Sequence, residues 1–419
     1  MEKFVIKGPC RVKGAVSVSG SKNAALPILA STILFDKTVE IKNLPRVKDI
    51  ETMINLLRSL GSKISFSKNK RAVKINNSKI KKTFASYNLV KTMRAGILVL
   101  GPLISKYGSA TVSMPGGCQI GVRPINYHLS GLKKLKMNYE IKRGYVYANA
   151  KRIVGSVIKF PKISVGATEN LIMASTLASG KTILKNCAIE PEIKDLINFL
   201  KTGGAKIKWI GKRTLEIYGV KSLDSTIYSV MGDRIEAGTF CIASALTQGD
   251  LNVNGLNPKI INTEINLLKK IGAKIKTKKN QIIIKGSKKI KNLSLITTKE
   301  YPGFATDLQA QFMVLLCKAK GRSVIQENIF ENRYSHCAEL RRLGASIIVK
   351  SKKAIIYGGA DFEGAELMSS DLRASVALVL AAIASKGKSI IHRIYHLSRG
   401  YENLDKKLKK IGVNIKKIR

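Results

Sequence analysis

The run Ser113-Met114-Pro115-Gly116-Gly117-Cys118 sets a thiol on a stretch suited to neither a helix nor a central strand. Proline has no amide proton to donate, and paired glycines are costly to order. The expected element is a mobile lid loop presenting Cys118, with Arg123 five residues further on in Gly121-Val122-Arg123-Pro124. A cation beside a thiol lowers its pKa toward neutrality, where it can donate or accept a proton. Taken alone, the pair equally describes an inert buried cysteine beside a surface arginine.

A second group of chemical residues stands where apolar helices are expected to begin. It comprises Lys22-Asn23, Lys91 and Arg94, Thr168-Glu169-Asn170, Asp233-Arg234, Asp307, and Asp371 with Arg373. Helix N-termini offer unpaired amide donors and partial positive charge, a setting for phosphate or carboxylate. Capping accounts for Thr168 and Ser370, but not for Lys22, Arg94 or Arg373, because a cation there opposes the helix dipole. Such a choice, repeated across units, points to a site for a highly anionic substrate pair. Arg333 and Arg399 lie outside this set, each in a polar loop beside aromatic residues.

The elements that must position these groups repeat along the chain. A segment of form Leu-x-x-x-Gly-[Ala/Ser]-x-Ile occurs at Leu57 to Ile64, Leu200 to Ile207, Leu268 to Ile275, Leu340 to Ile347 and Leu408 to Ile415. A degenerate copy, Leu132 to Tyr139, has Lys136 in place of the glycine. Each copy reads as the last turn of an amphipathic helix, a left-handed cap, then a strand. Upstream of each lies a more apolar helix: Ala24 to Leu34, Ala95 to Ile104, Leu171 to Ala178, Ala237 to Leu246, Leu308 to Cys317 and Ala374 to Ala384. A helix apolar on nearly every side must be buried on nearly every side. The expected fold is therefore α/β, with two similar inside-out α/β barrel domains. Each has three repeated units, with buried helices and outer sheets.

Ser17-Val18-Ser19-Gly20-Ser21-Lys22 and Ser229-Val230-Met231-Gly232-Asp233-Arg234 occupy equivalent places ahead of the first and fourth units. Read as crossovers, they make a two-strand hinge. They bound one domain at 21–232, carrying the Cys118 loop, and a second at 1–20 and 233–419. The substrates are expected in the cleft between them.

Composition narrows the class. A chain of 419 residues, 45% hydrophobic with 34 glycines, is globular and long enough for two cores. No run of about 18 apolar residues suggests a membrane span, and the start Met1-Glu2-Lys3-Phe4 has no signal-peptide character. The expected location is cytoplasmic. Six cysteines lack the close spacing of a zinc site or a disulfide framework, and four histidines add no metal pattern. The net charge of +47 would suit a nucleic-acid binder. Its lysines are spread along the chain, however, often alternating with isoleucine, and aromatics are only 6%, which leaves few stacking platforms. Nucleic acid is therefore not the expected partner, and AT-rich codon usage explains the lysine excess more simply.

Motifs spanning essentially the whole chain resemble the enolpyruvyl transferase family. They are Gly20-Ser21-Lys22-Asn23-Ala24-Ala25, Pro115-Gly116-Gly117-Cys118, Gly121-Val122-Arg123-Pro124, Ser164-Val165-Gly166-Ala167-Thr168-Glu169 and Glu190-Pro191-Glu192. Asp233-Arg234-Ile235-Glu236, Thr306-Asp307-Leu308-Gln309, Phe330-Glu331-Asn332-Arg333, Asp371-Leu372-Arg373-Ala374 and Arg393 through Glu402 complete the set. The resemblance implies transfer of an enolpyruvyl group from phosphoenolpyruvate to the 3′-hydroxyl of UDP-N-acetylglucosamine. The step opens peptidoglycan synthesis and passes through a tetrahedral ketal, without a metal or cofactor.

By the same resemblance, Cys118 protonates the enol carbon and can carry a covalent phosphoenolpyruvate adduct, while Asp307 is the base. Lys22, Arg123 and Arg399 take the phosphate and carboxylate, Arg94, Arg333 and Arg373 support them, and Asp371 orients the reacting carbon. The nucleotide sugar is assigned to Asn23, to Arg123, Pro124, Ile125, Asn126 and Tyr127, to Lys162, Ile163, Ser164 and Val165, and to Asp307 and Ile329. Ala305 and Gly232 stand where the family has proline, changes expected to loosen the base and the hinge. Asn126-Tyr127 and Asn170 also depart from its pattern. The nearest alternative is the sister activity on shikimate 3-phosphate, whose family pattern lacks the Pro-Gly-Gly-Cys loop.

Overall fold

The computed structural model describes residues 2–116 and 125–418. Cys118, Arg123 and Pro124 therefore lie outside the described residues. Among those described, the strands make six four-stranded sheets with one shared pattern. In each, a first strand runs parallel to a second, which pairs antiparallel with a third, which pairs antiparallel with a fourth. Val157–Lys159, Lys181–Lys185, Thr214–Tyr218 and Lys206–Gly211 are one example.

The chain divides into two compact units, each with three such sheets. In the unit containing 20–116 and 125–231, strand Ile227–Ser229 joins the sheet begun by Val39–Lys42. In the unit containing 2–19 and 232–418, Lys13–Ser17 pairs with Asp250–Asn254. Lys3–Gly8 in the same unit pairs with both Gly387–His392 and Ile415–Ile418.

The helices fill the middle of each unit. Every residue of Arg234–Leu246 is buried, as are residues 309–317 of Gln309–Lys318 and 373–383 of Leu372–Ala384. Residues 24–31 of Lys22–Ser31 and 167–176 of Val165–Thr176 are buried likewise. The helix expected at Ala95 to Ile104 is divided: a 3₁₀ segment, Arg94–Val99, leads into Leu100–Tyr107. Pro102 sits in the first turn of the latter, where its missing amide proton costs little.

The repeat has a backbone cause. In all six copies the residue after the turn donates to the leucine carbonyl at 3.0–3.2 Å: Ser62 to Leu57, Met137 to Leu132, Ala205 to Leu200, Ala273 to Leu268, Ala345 to Leu340 and Val413 to Leu408. Closing that ring requires a left-handed residue before the donor. Gly61, Gly204, Gly272, Gly344 and Gly412 supply it, with φ from 95° to 113°. Lys136 adopts the same region at φ 72°, without glycine's freedom.

The two chain passages hold close backbone approaches, each within its own unit. A Cβ on Gly20 would lie 1.8 Å from the Asn43 carbonyl oxygen, and one on Gly232 would lie 2.1 Å from that of Gly255. Glycine at 232, where the family resemblance anticipates proline, thus permits tight packing. Ser19 is tied down as well: its amide donates to Glu236 at 2.6 Å and its hydroxyl to Glu402 at 2.8 Å. The Lys407 ammonium donates to the Ser19 hydroxyl at 2.8 Å and to Glu236.

Candidate active site

In the unit containing 232–418, three buried helices present their starts to one another. Asp233 caps Arg234–Leu246, accepting from the Ile235 and Glu236 amides at 2.8 and 3.0 Å. Asp371 caps Leu372–Ala384 in the same way, accepting from Arg373 and Ala374 at 2.9 and 3.1 Å. Asp307 lies in the 3₁₀ turn Thr306–Leu308 that leads into the third helix.

Asp307 is held between two arginines. Its Oδ1 accepts from Arg333 at 2.6 Å and its Oδ2 from Arg373 at 2.9 Å. Both arginines are 95% buried, whereas the Asp307 side chain keeps 26% exposure. Arg333 also stacks over Phe330, and Arg373 over Tyr401. Burial opposes the charge on Arg373, but Asp307, Tyr401 and Asp233 together more than offset it and raise the guanidinium above its ordinary range. The Tyr401 hydroxyl accepts from Arg373 at 3.3 Å and meets the Thr239 hydroxyl at 2.9 Å, linking two helices.

A buried carboxylate positions this turn. Glu327 accepts from the hydroxyls of Thr298 and Thr306, each at 2.9 Å. It also accepts from the amides of Ile329 and Phe330 at 2.8 and 3.1 Å. One side chain therefore fixes both the Asp307 turn and the loop carrying Ile329 and Arg333. Ala305, expected to loosen the base, instead adds a tie. Its amide donates to Glu264 at 3.1 Å, a bond proline could not make. Asp371 stands near the Ser335 and Ser370 hydroxyls at 3.5 and 3.4 Å. Arg399 ends the 3₁₀ segment Ile394–Arg399, half-buried, and its charge acts on His396.

The other unit holds a separate set. Lys22 opens helix Lys22–Ser31, and its ammonium lies 3.1 Å from Asp49 in the first turn of Lys48–Leu60. Asn23 follows it, half-buried. Arg94 opens the 3₁₀ segment Arg94–Val99, and its charge reaches His128. Ile125 is buried ahead of helix Asn126–Lys134, with Asn126 exposed and Tyr127 packed against the core. Exposed Lys162 and half-buried Ile163 lead into Ser164, whose hydroxyl caps helix Val165–Thr176 by accepting from the Ala167 amide at 3.4 Å; Val165 is itself exposed. Glu169, buried on that helix, has its carboxyl pushed well above the usual range by burial and by Glu192 and Glu190.

Asp49, Glu327 and Tyr401 carry this geometry, yet sequence reasoning gave them no role. Asp49 and Glu327 resemble ordinary acidic residues at a helix start and a strand end. Only the buried cations and hydroxyls they face, supplied by distant segments, set them apart.

The family described as EPSP synthase (3-phosphoshikimate 1-carboxyvinyltransferase) matches residues 6–408. The chain is 62% identical over 419 residues to the UDP-N-acetylglucosamine 1-carboxyvinyltransferase of Pelagibacter ubique (strain HTCC1062), covering all of both chains. It is 47% identical over 419 residues to the protein of the same name from Geobacter metallireducens, again covering all of both. Its fold matches that of the enolpyruvyl transferase NikO from Streptomyces tendae with a TM-score of 0.90 at 23% identity, covering 100% and 99% of the two chains. An EPSP synthase from Acinetobacter baumannii matches with a TM-score of 0.78 at 18% identity, covering all of both chains.

Proposed function

The chain belongs to the family of EPSP synthase and the related enolpyruvyl transferases, and from that premise we propose that it moves the enolpyruvyl group of phosphoenolpyruvate onto the 3′-hydroxyl of UDP-N-acetylglucosamine. The product would feed peptidoglycan synthesis. The observation that carries the reading is the 62% identity, end to end, with a relative named for that acceptor.

The chemistry needs a proton given and a proton taken. In the addition step the sugar oxygen bonds to C2 of phosphoenolpyruvate while C3 gains a proton, giving a tetrahedral ketal phosphate. In the elimination the bond from C2 to the phosphate oxygen breaks, C3 loses a proton, and inorganic phosphate leaves. Cys118 is our candidate donor to C3 and for a covalent adduct with phosphoenolpyruvate. Asp307 is our candidate base at the hydroxyl, with Asp371 orienting the reacting carbon. Fixed cations suit the charge that develops on the three-carbon unit: Lys22, Arg123 and Arg399 are the candidate ligands, with Arg94, Arg333 and Arg373 behind them. Asn23, residues 123–127 and 162–165, Asp307 and Ile329 would take the nucleotide sugar.

The reaction as written is redox-neutral, and in this reading it proceeds without a metal or an organic cofactor, Cys118 and Asp307 moving the protons. We read the enzyme as cytoplasmic. No helix among the described residues is long and apolar enough to cross a membrane, and the five described cysteines are all free thiols.

Phosphate release tests the acceptor. Purified protein given phosphoenolpyruvate should release phosphate when UDP-N-acetylglucosamine is added and stay silent with shikimate 3-phosphate. The reverse preference would move the chain to the sister activity.

A further inference from the structure

Thr298 and Glu327 stand side by side where two parallel strands end. Ile296–Thr297 pairs with Arg322–Gln326, Thr297 opposite Gln326, and the next residue of each strand carries the polar group. Glu327 is 1% exposed, and no cation pairs with it among the described residues. A buried carboxylate is costly unless its lone pairs are filled. Here neutral donors fill them.

The two carboxylate oxygens divide the work. Oε1 accepts from the Thr298 hydroxyl at 2.9 Å and from the Ile329 and Phe330 amides at 2.8 and 3.1 Å. The Thr298 hydroxyl in turn accepts from the Asn328 amide at 2.9 Å. Oε2 accepts from the Thr306 hydroxyl at 2.9 Å. Oε1 therefore sets the course of residues 328–330, and Oε2 holds the turn Thr306–Leu308.

Both ties lead to Asp307. Thr306 precedes it in the turn. On the other side, the Phe330 ring lies 5.2 Å from the Arg333 guanidinium, which donates to Asp307 Oδ1 at 2.6 Å and to the Thr306 carbonyl at 3.4 Å. Glu327 thus closes a ring of contacts through Thr306, Asp307, Arg333 and Phe330. With its side chain 26% exposed, Asp307 is not aimed by burial. A base serves only within hydrogen-bond reach of its proton, and a misplacement of about 1 Å costs up to about a hundredfold in rate.

We propose that Glu327 is a positioning residue for the reaction, acting through Thr306 and Arg333 to aim the Asp307 carboxylate at the acceptor hydroxyl. The proposal rests on the reading of Asp307 as the base toward UDP-N-acetylglucosamine. It separates two effects: the Oε2 tie governs turnover, while the Oε1 ties also govern the hold on the nucleotide sugar through Ile329.

Kinetics and calorimetry on variants of the full chain test it. Thr306→Val removes the Oε2 tie and should lower kcat about ten- to hundredfold, with the Kd for UDP-N-acetylglucosamine and the KM for phosphoenolpyruvate little changed. Thr306→Ser restores the hydroxyl and should recover most of the loss. Glu327→Gln keeps an acceptor for the two amides and a donor for the Thr306 oxygen. It should stay nearer to wild type than Glu327→Ala, which should lose both turnover and nucleotide-sugar affinity. In an Asp307→Asn background, Thr306→Val should cost little more, because its effect runs through the missing carboxylate. If Glu327→Ala does not fold, the threonine variants and Glu327→Gln still decide. A folded Thr306→Val with wild-type kcat, or a loss that multiplies in full with that of Asp307→Asn, overturns the proposal and leaves the acceptor reading standing. A wild type that releases no phosphate with UDP-N-acetylglucosamine overturns the acceptor reading first, and this inference with it.

Discussion

Oδ2 of Asp307 stands 2.9 Å from Nη2 of Arg373, and that guanidinium is packed over the ring of Tyr401. The carboxylate is thus held from a neighbouring helix, while Arg333 grips its other oxygen at 2.6 Å. Removing the carboxylate leaves two buried cations facing each other. Asp307→Ala should cost about 2–3 kcal/mol in urea unfolding, below the full cost of breaking a buried pair because Asp307 is partly exposed. Asp307→Asn should lower turnover at least about a hundredfold, the usual worth of a positioned base. Near-normal turnover in a folded asparagine variant would remove Asp307 from the chemistry.

Glu236 gives the fold a pH dependence. Burial pushes its carboxyl up to about 7, with Asp233 adding to the shift and Lys407 opposing it. A carboxyl whose folded pKa is raised favours the folded state below its unfolded pKa, and that stability is lost as pH rises through about 7. The loss is at most about 3 kcal/mol. Asp195, raised to about 6 by burial, acts with the same sign, so the informative quantity is a difference. Wild type should lose stability relative to Glu236→Gln as pH is raised from about 5 to 7. Parallel pH profiles would contradict the assignment.

Lys136 holds a left-handed backbone that its five sister positions give to glycine. Lys136→Gly should relieve about 1 kcal/mol of local strain and raise the melting temperature by about 2–4 °C. A fall in melting temperature would mean that the lysine side chain contributes more than the strain costs.

That position also shows how far the sequence was legible. The sixfold spacing of leucine and glycine announced the helix, cap and strand of each unit because one backbone hydrogen bond imposes it. Even the lysine copy keeps the bond, from Met137 to Leu132. Buried helices followed from apolar residues on every face of segments such as Leu372–Ala384. Cations at helix starts drew notice because they oppose the dipole, and Arg373 proved to be paired with Asp307. Partnerships between distant segments were not legible. Glu327 bonding to Thr298 and Thr306, Asn170 meeting His128, and Ala305 bonding to Glu264 each join residues about 20 to 45 positions apart with no periodicity to reveal them. The Cys118 loop falls outside the described residues, so its part rests on the resemblance and on experiment.

For that loop, Cys118→Ala should abolish both turnover and covalent labelling by an epoxide phosphonate. Cys118→Asp should retain turnover, since an acid remains, while losing the label. Continued labelling of the alanine variant, read by mass spectrometry, would place the reactive thiol elsewhere. An inactive aspartate variant would count against the acid role.

The central claim is that a bond forms between C2 of phosphoenolpyruvate and the 3′-oxygen of UDP-N-acetylglucosamine. Carbon-13 NMR of a reaction run with phosphoenolpyruvate labelled at C2 tests it most directly. The account predicts an enol-ether carbon coupled across oxygen to the sugar C3′, appearing in step with inorganic phosphate. Labelled pyruvate with an unaltered nucleotide sugar, or unconsumed phosphoenolpyruvate, would contradict it.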